Sequence, residues 1–325
     1  PMSYGLFTQF GIYGLEFFYW TQSFGRITGE SNWNNNTSPF YLLNVFLYAF
    51  LPWTLLFLWA FVERTRNFFN IHSRASNVET ISYFGFIIPL IMLSLSNYKL
   101  PHYIYCVVPF ASILTASKIE QWHEKYKRIF FIQTGVSVFM LTFVYGIIIY
   151  SFSTNIIFFI IPLLIIVGFI RFHLNTSSEV LTRLFIPTIA ATIIFNYGLN
   201  LGIIKQILDY QAPFQAAKYI LEQDLNYHSI YLYNQNEKEK SRSFNYYLDV
   251  ETEYIDHTYF NGLSLQDSML IYTDEKGYNE LLKLNKSINI LNTFKHTRVS
   301  KMTMKFLNPN TRSKSIKNKY LLRCT

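Results

Sequence analysis

Residues 94–106 read SLSNYKLPHYIYC, and this stretch lies between two apolar segments, Ile81–Leu95 and Ile104–Ala116. The spans built on these runs, near 80–96 and 101–117, are joined by only about five residues, so the chain must turn sharply between them. Pro101 lacks an N–H and collides with the preceding turn, so neither helix runs straight through the corner. Lys99, His102 and Tyr103 are therefore expected at one membrane face, with Asn97 shaping the bend. Donors fixed at such a surface suit an anionic head group, most simply a phosphate.

The composition agrees with a polytopic helical membrane protein. Half of the 325 residues are hydrophobic, 19% are aromatic and only 15% are charged. The averages hide a split, because residues 39–204 are a series of apolar runs whereas the sequence from Lys205 onward is polar and mixed. The formal charge of +8 does not gather into an interleaved basic and aromatic patch, so no nucleic-acid partner is expected. The two cysteines, Cys106 and Cys324, make no disulfide framework, and no Cys/His spacing has the form of a zinc site. The chain opens on Pro1, which reads as a fragment whose beginning is missing.

Residues 1–38 are aromatic but interrupted by glycines, and are expected to form an extracytoplasmic loop with short interfacial helices. Within it, residues 16–31 would place Phe17, Trp20 and Phe24 on one helical face, with Arg26 just beyond. About six spans follow, near 39–62, 80–96, 101–117, 129–151, 155–172 and 183–204, each close to the ~20 residues a crossing helix needs. Loops carrying Arg64, Arg66, Arg74, Lys118, Lys125, Lys127, Arg128, Arg171 and Arg183 alternate with loops whose only cations are Arg26 and Lys99. The positive-inside rule puts the first set in the cytoplasm, and the 97–100 corner, the opening loop and everything after the sixth span outside.

Residues 205–325 are expected to form a soluble extracytoplasmic α/β domain. Its helices should include 209–224 and EKGYNELLKL, and its strands SIYLYN, SMLIYTD, RVSKMTMKFL and KNKYLLRC, the last two around the turn Asn308-Pro309-Asn310. The acidic group Asp249, Glu251, Glu253 and Asp256 reads as a solvated edge, and the domain holds no phosphate-loop or nucleophile-elbow motif.

The motif S-x-x-K-L-P-H-Y at Ser96–Tyr103 resembles the late extracytoplasmic loop of membrane glycosyltransferases related to aminoarabinose transferase and protein O-mannosyltransferase. FFYWTQSFGRITGE resembles that family's aromatic stretch ending in an arginine, and SPFYLLNVFLYAFLPW its P-F-Y followed by P-W. The resemblance covers residues 1 to about 205 and implies a GT-C fold, with transfer of a sugar from a polyprenyl-phosphate donor to a lipid, glycan or protein acceptor. It implies residence in a bacterial inner or plasma membrane, with membrane lipids and the polyprenyl-linked sugar as partners. Arg26, Lys99, His102, Tyr103 and Asn97 are the implied substrate-binding residues. The family's catalytic acid lies in an early loop with no counterpart here, so it is expected upstream of Pro1. The aminoarabinose branch also has a histidine, thought to take part in a metal site, shortly before the arginine matched by Arg26. This chain has Gln22 and Ser23 there, so neither a metal nor another cofactor is expected. A polyprenyl-substrate transporter or flippase, or a membrane-anchored binding module, are the alternatives. The nearly charge-free spans argue against the former, and the number of spans against the latter.

Overall fold

The computed structural model of the chain describes residues 1–28, 37–69, 80–121, 126–152, 154–175, 180–225, 229–233, 242–250, 252–262, 269–284, 288–298 and 302–324. It begins with α1 (Met2–Glu16), a π-helical stretch Phe17–Phe24 and α2 (Gly25–Thr28). Next come α3 (Tyr41–Ala49), α4 (Thr54–Phe69), α5 (Thr80–Leu95), a 3-10 turn Pro101–Cys106, α6 (Val108–Gln121) and α7 (Tyr126–Ser151). A second 3-10 turn, Ile156–Phe159, leads into α8 (Ile160–Asn175), then α9 (Val180–Tyr197), a π-helical stretch Gly198–Ile204 and α10 (Lys205–Leu208). The remainder alternates: α11 (Ala212–Glu222), β1 (Ile230–Tyr233), α12 (Arg242–Leu248), β2 (Thr252–Ile255), α13 (His257–Gly262), β3 (Met269–Asp274), α14 (Glu275–Leu282) and β4 (Ile288–His296). It closes with α15 (Met304–Leu307), α16 (Pro309–Arg312), a 3-10 turn Ser313–Ser315 and β5 (Lys317–Cys324).

Two compact units result, one of Pro1–Met140 with Val167–Thr192, the other of Leu141–Ile166 with Ile193–Thr325. In the first, residues 2–28 form helical segments interrupted at Gly11. Gly11, at φ 64°, takes the left-handed conformation that breaks α1. A Cβ on Gly14 would lie 2.8 Å from the Leu6 carbonyl oxygen and 2.8 Å from Phe10 Cβ, so glycine permits the close approach there. The Ser3 and Tyr19 hydroxyls share a hydrogen bond of 2.6 Å.

The stretch 39–62 is not one span. Pro52 has no N–H to donate to the helix ladder, so α3 and α4 are separate helices. Thr54 Oγ1 donates to the Leu47 carbonyl at 2.7 Å across the break. Phe46 stands at the centre of the core around it, with ring centroids 5.1 Å from Phe50, 5.0 Å from Phe57 and 4.9 Å from Phe86. Among the described residues two helices are long and apolar enough to cross a membrane, Tyr126–Ser151 and Thr182–Leu208. Thr80–Leu95 and Ile156–Arg171 are apolar but shorter. Large apolar side chains such as Phe131, Phe139, Phe143, Ile149, Leu163 and Leu164 are exposed along them, as on a lipid-facing surface.

The second unit contains a five-stranded sheet in the order β2-β1-β3-β5-β4. β1 runs parallel to β2 and β3, and β5 lies antiparallel between β3 and β4. The two-residue alternation of a strand sends Ile230, Leu232, Leu270, Tyr272 and Leu321 to a core shared with α11 and α12. Tyr233, Ile271 and Leu322 go to the other face, with Phe260 of α13 and Leu281 of α14. A sheet buried on both faces by helices is the expected α/β layering. Two of its strands differ from expectation. RVSKMTMKFL is no strand in its described part, because Thr303 Oγ1 accepts the Phe306 N–H at 3.3 Å and caps the short helix α15. β4 takes that place in the sheet, and its register shift between Ile290 and Asn292 conceals the alternation. β2, within the acidic group, is an edge strand with Glu253 exposed, while Glu251 lies outside the described residues.

Tyr233 is fully buried and its hydroxyl has no hydrogen-bond partner among the described residues. Burial first, then the carboxylates of Glu280 and Asp256, pushes its ionisation up, so the ring stays neutral. Tyr233→Phe removes an unsatisfied buried polar atom and is expected to hold or raise stability by ~1 kcal/mol. Tyr233→Ala, which opens a cavity, should cost about 3–5 kcal/mol. Thermal unfolding of the two variants checks this; a loss for Tyr233→Phe comparable to that for Tyr233→Ala would show that the hydroxyl has a partner.

Candidate functional site

The polar corner forms between the end of α5 at Leu95 and the 3-10 turn at Pro101, in the first unit. Ser96 is buried and turns the chain locally: its Oγ donates to the Tyr98 carbonyl at 3.1 Å, and the Tyr98 N–H lies 3.3 Å from the same oxygen. Leu100 is extended, and Pro101 opens the next helical turn, where its missing N–H leaves no donor unsatisfied. The motif's serine and proline are thus the two residues that bend the backbone.

Lys99 is only 6% exposed. Its Nζ donates to the main-chain carbonyl of Thr37 at 3.1 Å, across 62 positions of sequence. Thr37 directly precedes Ser38-Pro39-Phe40-Tyr41, the turn that starts α3. There the Ser38 carbonyl accepts the Tyr41 N–H at 3.0 Å, and Ser38 Oγ accepts the Phe40 N–H at 3.3 Å. The K-L-P-H-Y and S-P-F-Y motifs therefore meet in space. Beneath them Ile104 and Val107 of the corner pack with Leu42, Val45 and Phe46 of α3, and Tyr41 and Tyr103 lie half-buried against the same cluster. His102 is exposed and stands edge-on to Tyr103, with ring centroids 5.1 Å apart; Asn97 is exposed as well.

Arg26 has its backbone in α2, and its side chain lies outside the described residues. Lys99, His102, Tyr103 and Asn97 are brought into one corner; Thr37 joins them, and the sequence reading did not include it. A main-chain acceptor carries no residue-type signal, and only the adjacent S-P-F-Y run pointed to that place. Among the described residues no three His, Cys, Asp or Glu side chains gather as a metal-ligand set.

Two cations counted with the loops belong to helix ends instead. Lys118, in the last turn of α6, pairs with Glu63 Oε1 at 3.2 Å and donates to Gln121 Oε1 at 3.0 Å. Arg64 of α4 is buried and donates from Nη2 to Thr80 Oγ1 at 2.7 Å. His72, His123 and Arg74 lie outside the described residues. An apolar cleft of about 320 Å³ also opens in this unit, lined by Phe50, Trp53, Ser112, Thr115, Ile119 and Phe185 among others. The Trp53 of the P-W pair forms one wall, its ring 5.1 Å from that of Phe185.

The fold has solved counterparts. No family model and no curated protein sequence matches the chain. The crystal structure of ArnT from Cupriavidus metallidurans bound to undecaprenyl phosphate superposes with a TM-score of 0.61 at 14% identity, over 99% of this chain and 58% of that one. ArnT from the same organism in the apo state gives 0.59 at 13% identity, over 99% of this chain and 57% of that one. The chain thus shares the fold of an aminoarabinose transferase and spans somewhat over half the length of those proteins.

The Lys99 contact gives the first check on the corner. Lys99→Met keeps the aliphatic stem and removes the donors, and a charge-assisted hydrogen bond of this kind is worth about 1.5–3 kcal/mol. The variant should therefore unfold at lower temperature in detergent. His102→Ala, at an exposed position, should stay within about 0.5 kcal/mol of the parent. Equal stability of Lys99→Met and the parent would show that the bond to Thr37 does not hold the corner.

Proposed function

We propose that this chain is part of a GT-C membrane glycosyltransferase that moves a sugar from a polyprenyl-phosphate donor to a lipid, glycan or protein acceptor at the outer face of a bacterial inner membrane. The observation that carries this reading is the buried Lys99, held by the turn that starts α3, in a chain with the fold of ArnT. One of the two ArnT structures is bound to undecaprenyl phosphate, which supports a polyprenyl phosphate as the partner here. In this reading the apolar stretches between 39 and 204 lie in the bilayer, and residues 1–38, the corner and the domain from 205 onward face outward.

The chemistry follows from the charge that moves. A nucleophile of the acceptor attacks the anomeric carbon of the sugar, and the bond from that carbon to the phosphate oxygen breaks. The bonding pair stays on the lipid phosphate, where negative charge grows as the transition state is reached. Cations and N–H or O–H donors held in a partly dehydrated site stabilise that charge without reorganising. Lys99 and Arg26 are assigned this role, Tyr103 and His102 supply further donors, and Asn97 shapes the rim. The apolar cleft beside Trp53 offers surface for part of the polyprenyl chain. No acidic residue of this chain is assigned the part of catalytic base. Gln22 and Ser23 do not offer the histidine of a metal site, so no step is routed through a metal.

The complete protein, reconstituted in liposomes with a polyprenyl-phosphate-linked sugar, tests the proposal. Loss of one anion-stabilising donor from such a site costs ~3 kcal/mol of barrier, so transfer by Lys99→Ala should fall roughly a hundredfold. Membrane insertion should persist, and the rate is to be normalised to the folded fraction, because Lys99 also supports the corner. Near-parental transfer by the folded variant would remove Lys99 from the mechanism. Movement of the lipid-linked sugar across the bilayer with no transfer would favour the flippase instead.

A further inference from the structure

A second polar cavity, in the other unit, owes nothing to the corner. It has a volume of about 370 Å³, within the range of small-molecule sites, and its walls include Tyr210, Lys295, Arg312, Ser313 and Asn318, closed by Pro309 and Ile316. Among the described residues, every polar side chain in that wall can donate a hydrogen bond, two are cationic and none is a carboxylate. The antiparallel register sets Lys295 of β4 directly opposite Asn318 of β5, so both project from the same face of the sheet.

Arg312 is held in place. Its Nε donates to the Phe306 carbonyl at 2.9 Å, and Nη2 donates to the carbonyl of Ser151, the last residue of α7. The guanidinium also lies over the rings of Phe152 at 5.0 Å and Phe306 at 5.3 Å. The last carbonyls of a helix have no partner within it and carry the negative end of its dipole, so α7 orients this cation. Two of five N–H donors are used in these bonds, and the group still lines the cavity. Phe306 is buried among Ile148 and Phe152 at the end of α7 and Ile203 and Ile207 beyond α9. Ile148 belongs to Tyr126–Ser151, and Ile203 and Ile207 to Thr182–Leu208, the two helices among the described residues that are long and apolar enough to cross a bilayer. At about 1.5 Å per residue, the 26 residues of α7 exceed the ~30 Å hydrocarbon thickness, so the Ser151 end reaches head-group level. Met304 at 82% exposure, with Lys305 and Lys314 exposed nearby, presents an apolar tip flanked by cations.

We propose that this cavity binds a phosphate group at the membrane surface, supplied by a phospholipid head group or by free phosphate, with Arg312 and Lys295 as the charged contacts and Asn318, Ser313 and Tyr210 as neutral donors. A planar guanidinium and an ammonium lining one cavity match a tetrahedral oxyanion in charge and donor type. The site stands apart from the transfer reading, and neither depends on the other.

The test uses the full chain in phosphatidylcholine nanodiscs, titrated with dihexanoyl phosphatidic acid and, separately, with inorganic phosphate. Lys295 is exposed, so Lys295→Glu removes a cation and adds an anion with the fold intact. Dihexanoyl phosphatidic acid is expected to bind the parent and to lose about tenfold in affinity for Lys295→Glu. Binding of inorganic phosphate with the same sensitivity would uphold the site and identify free phosphate as the source. Failure of both probes to bind the parent, or binding indifferent to Lys295→Glu, would overturn the proposal. Asn318→Asp, opposite Lys295 on the next strand, serves for the same comparison should Lys295→Glu not fold.

Discussion

A lysine ammonium can be buried at the junction of two apolar helices only if its N–H donors find acceptors, because an unsatisfied charge in such a place costs several kcal/mol. Lys99 meets that requirement by reaching back 62 positions to the Thr37 carbonyl. The contact ties the corner after α5 to the turn before α3, and the remaining features of the first unit fit around it. Phe46, Phe57 and Phe86 pack against one another below the turn, and Ile104 and Val107 seal the corner onto them. Edge-on and tilted aromatic pairs add to the area they bury, which makes this cluster a firm base for a polar bend.

The same constraint explains the order of residues in the corner. Ser96 must be small and polar to turn the chain at the end of α5, and Pro101 must follow Lys99 closely so that a new helix starts in a new direction. The cation between them cannot slide along a helix face. His102 and Tyr103 come next on a 3-10 turn, where three residues per turn put one side chain out to solvent and the other against the core. The polar side chains of the corner thus form a narrow rim above a packed floor.

What could be read in the sequence was set by side-chain type and periodicity. The corner was legible because Pro101 and a lysine interrupt apolar runs, and β1, β3, β5, α11 and α14 were legible from alternation or helical spacing. Thr37 was not, since its main-chain carbonyl looks the same under any side chain. The span at 39–62 was read through Pro52 because its hydropathy is continuous, although the backbone is not. In residues 2–28 the glycines looked like interruptions, whereas Gly11 supplies the kink and Gly14 the close contact that let helical segments fold there. β4 escaped because its bulge shifts the alternation by one, and Met304–Leu307 passed for a strand because a threonine cap outweighs a four-residue pattern.

Main-chain partners also bear on what the cations can do. Lys118 and Lys319 face the carboxylates of Glu63 and Asp274, and in those pairs the opposing charge is met within the protein. The bonds from Arg312 to Phe306 and Ser151 go to carbonyls instead. A carbonyl fixes the direction of a cationic side chain through one lone pair and contributes a dipole, not a unit charge. It can therefore orient a donor toward an incoming anion without competing for it as a carboxylate would. Where a helix end provides the carbonyl, as α7 does for Arg312, its dipole adds to the orientation. A chain with few charges in its apolar part thus orients Arg312 with backbone oxygens it must satisfy in any case.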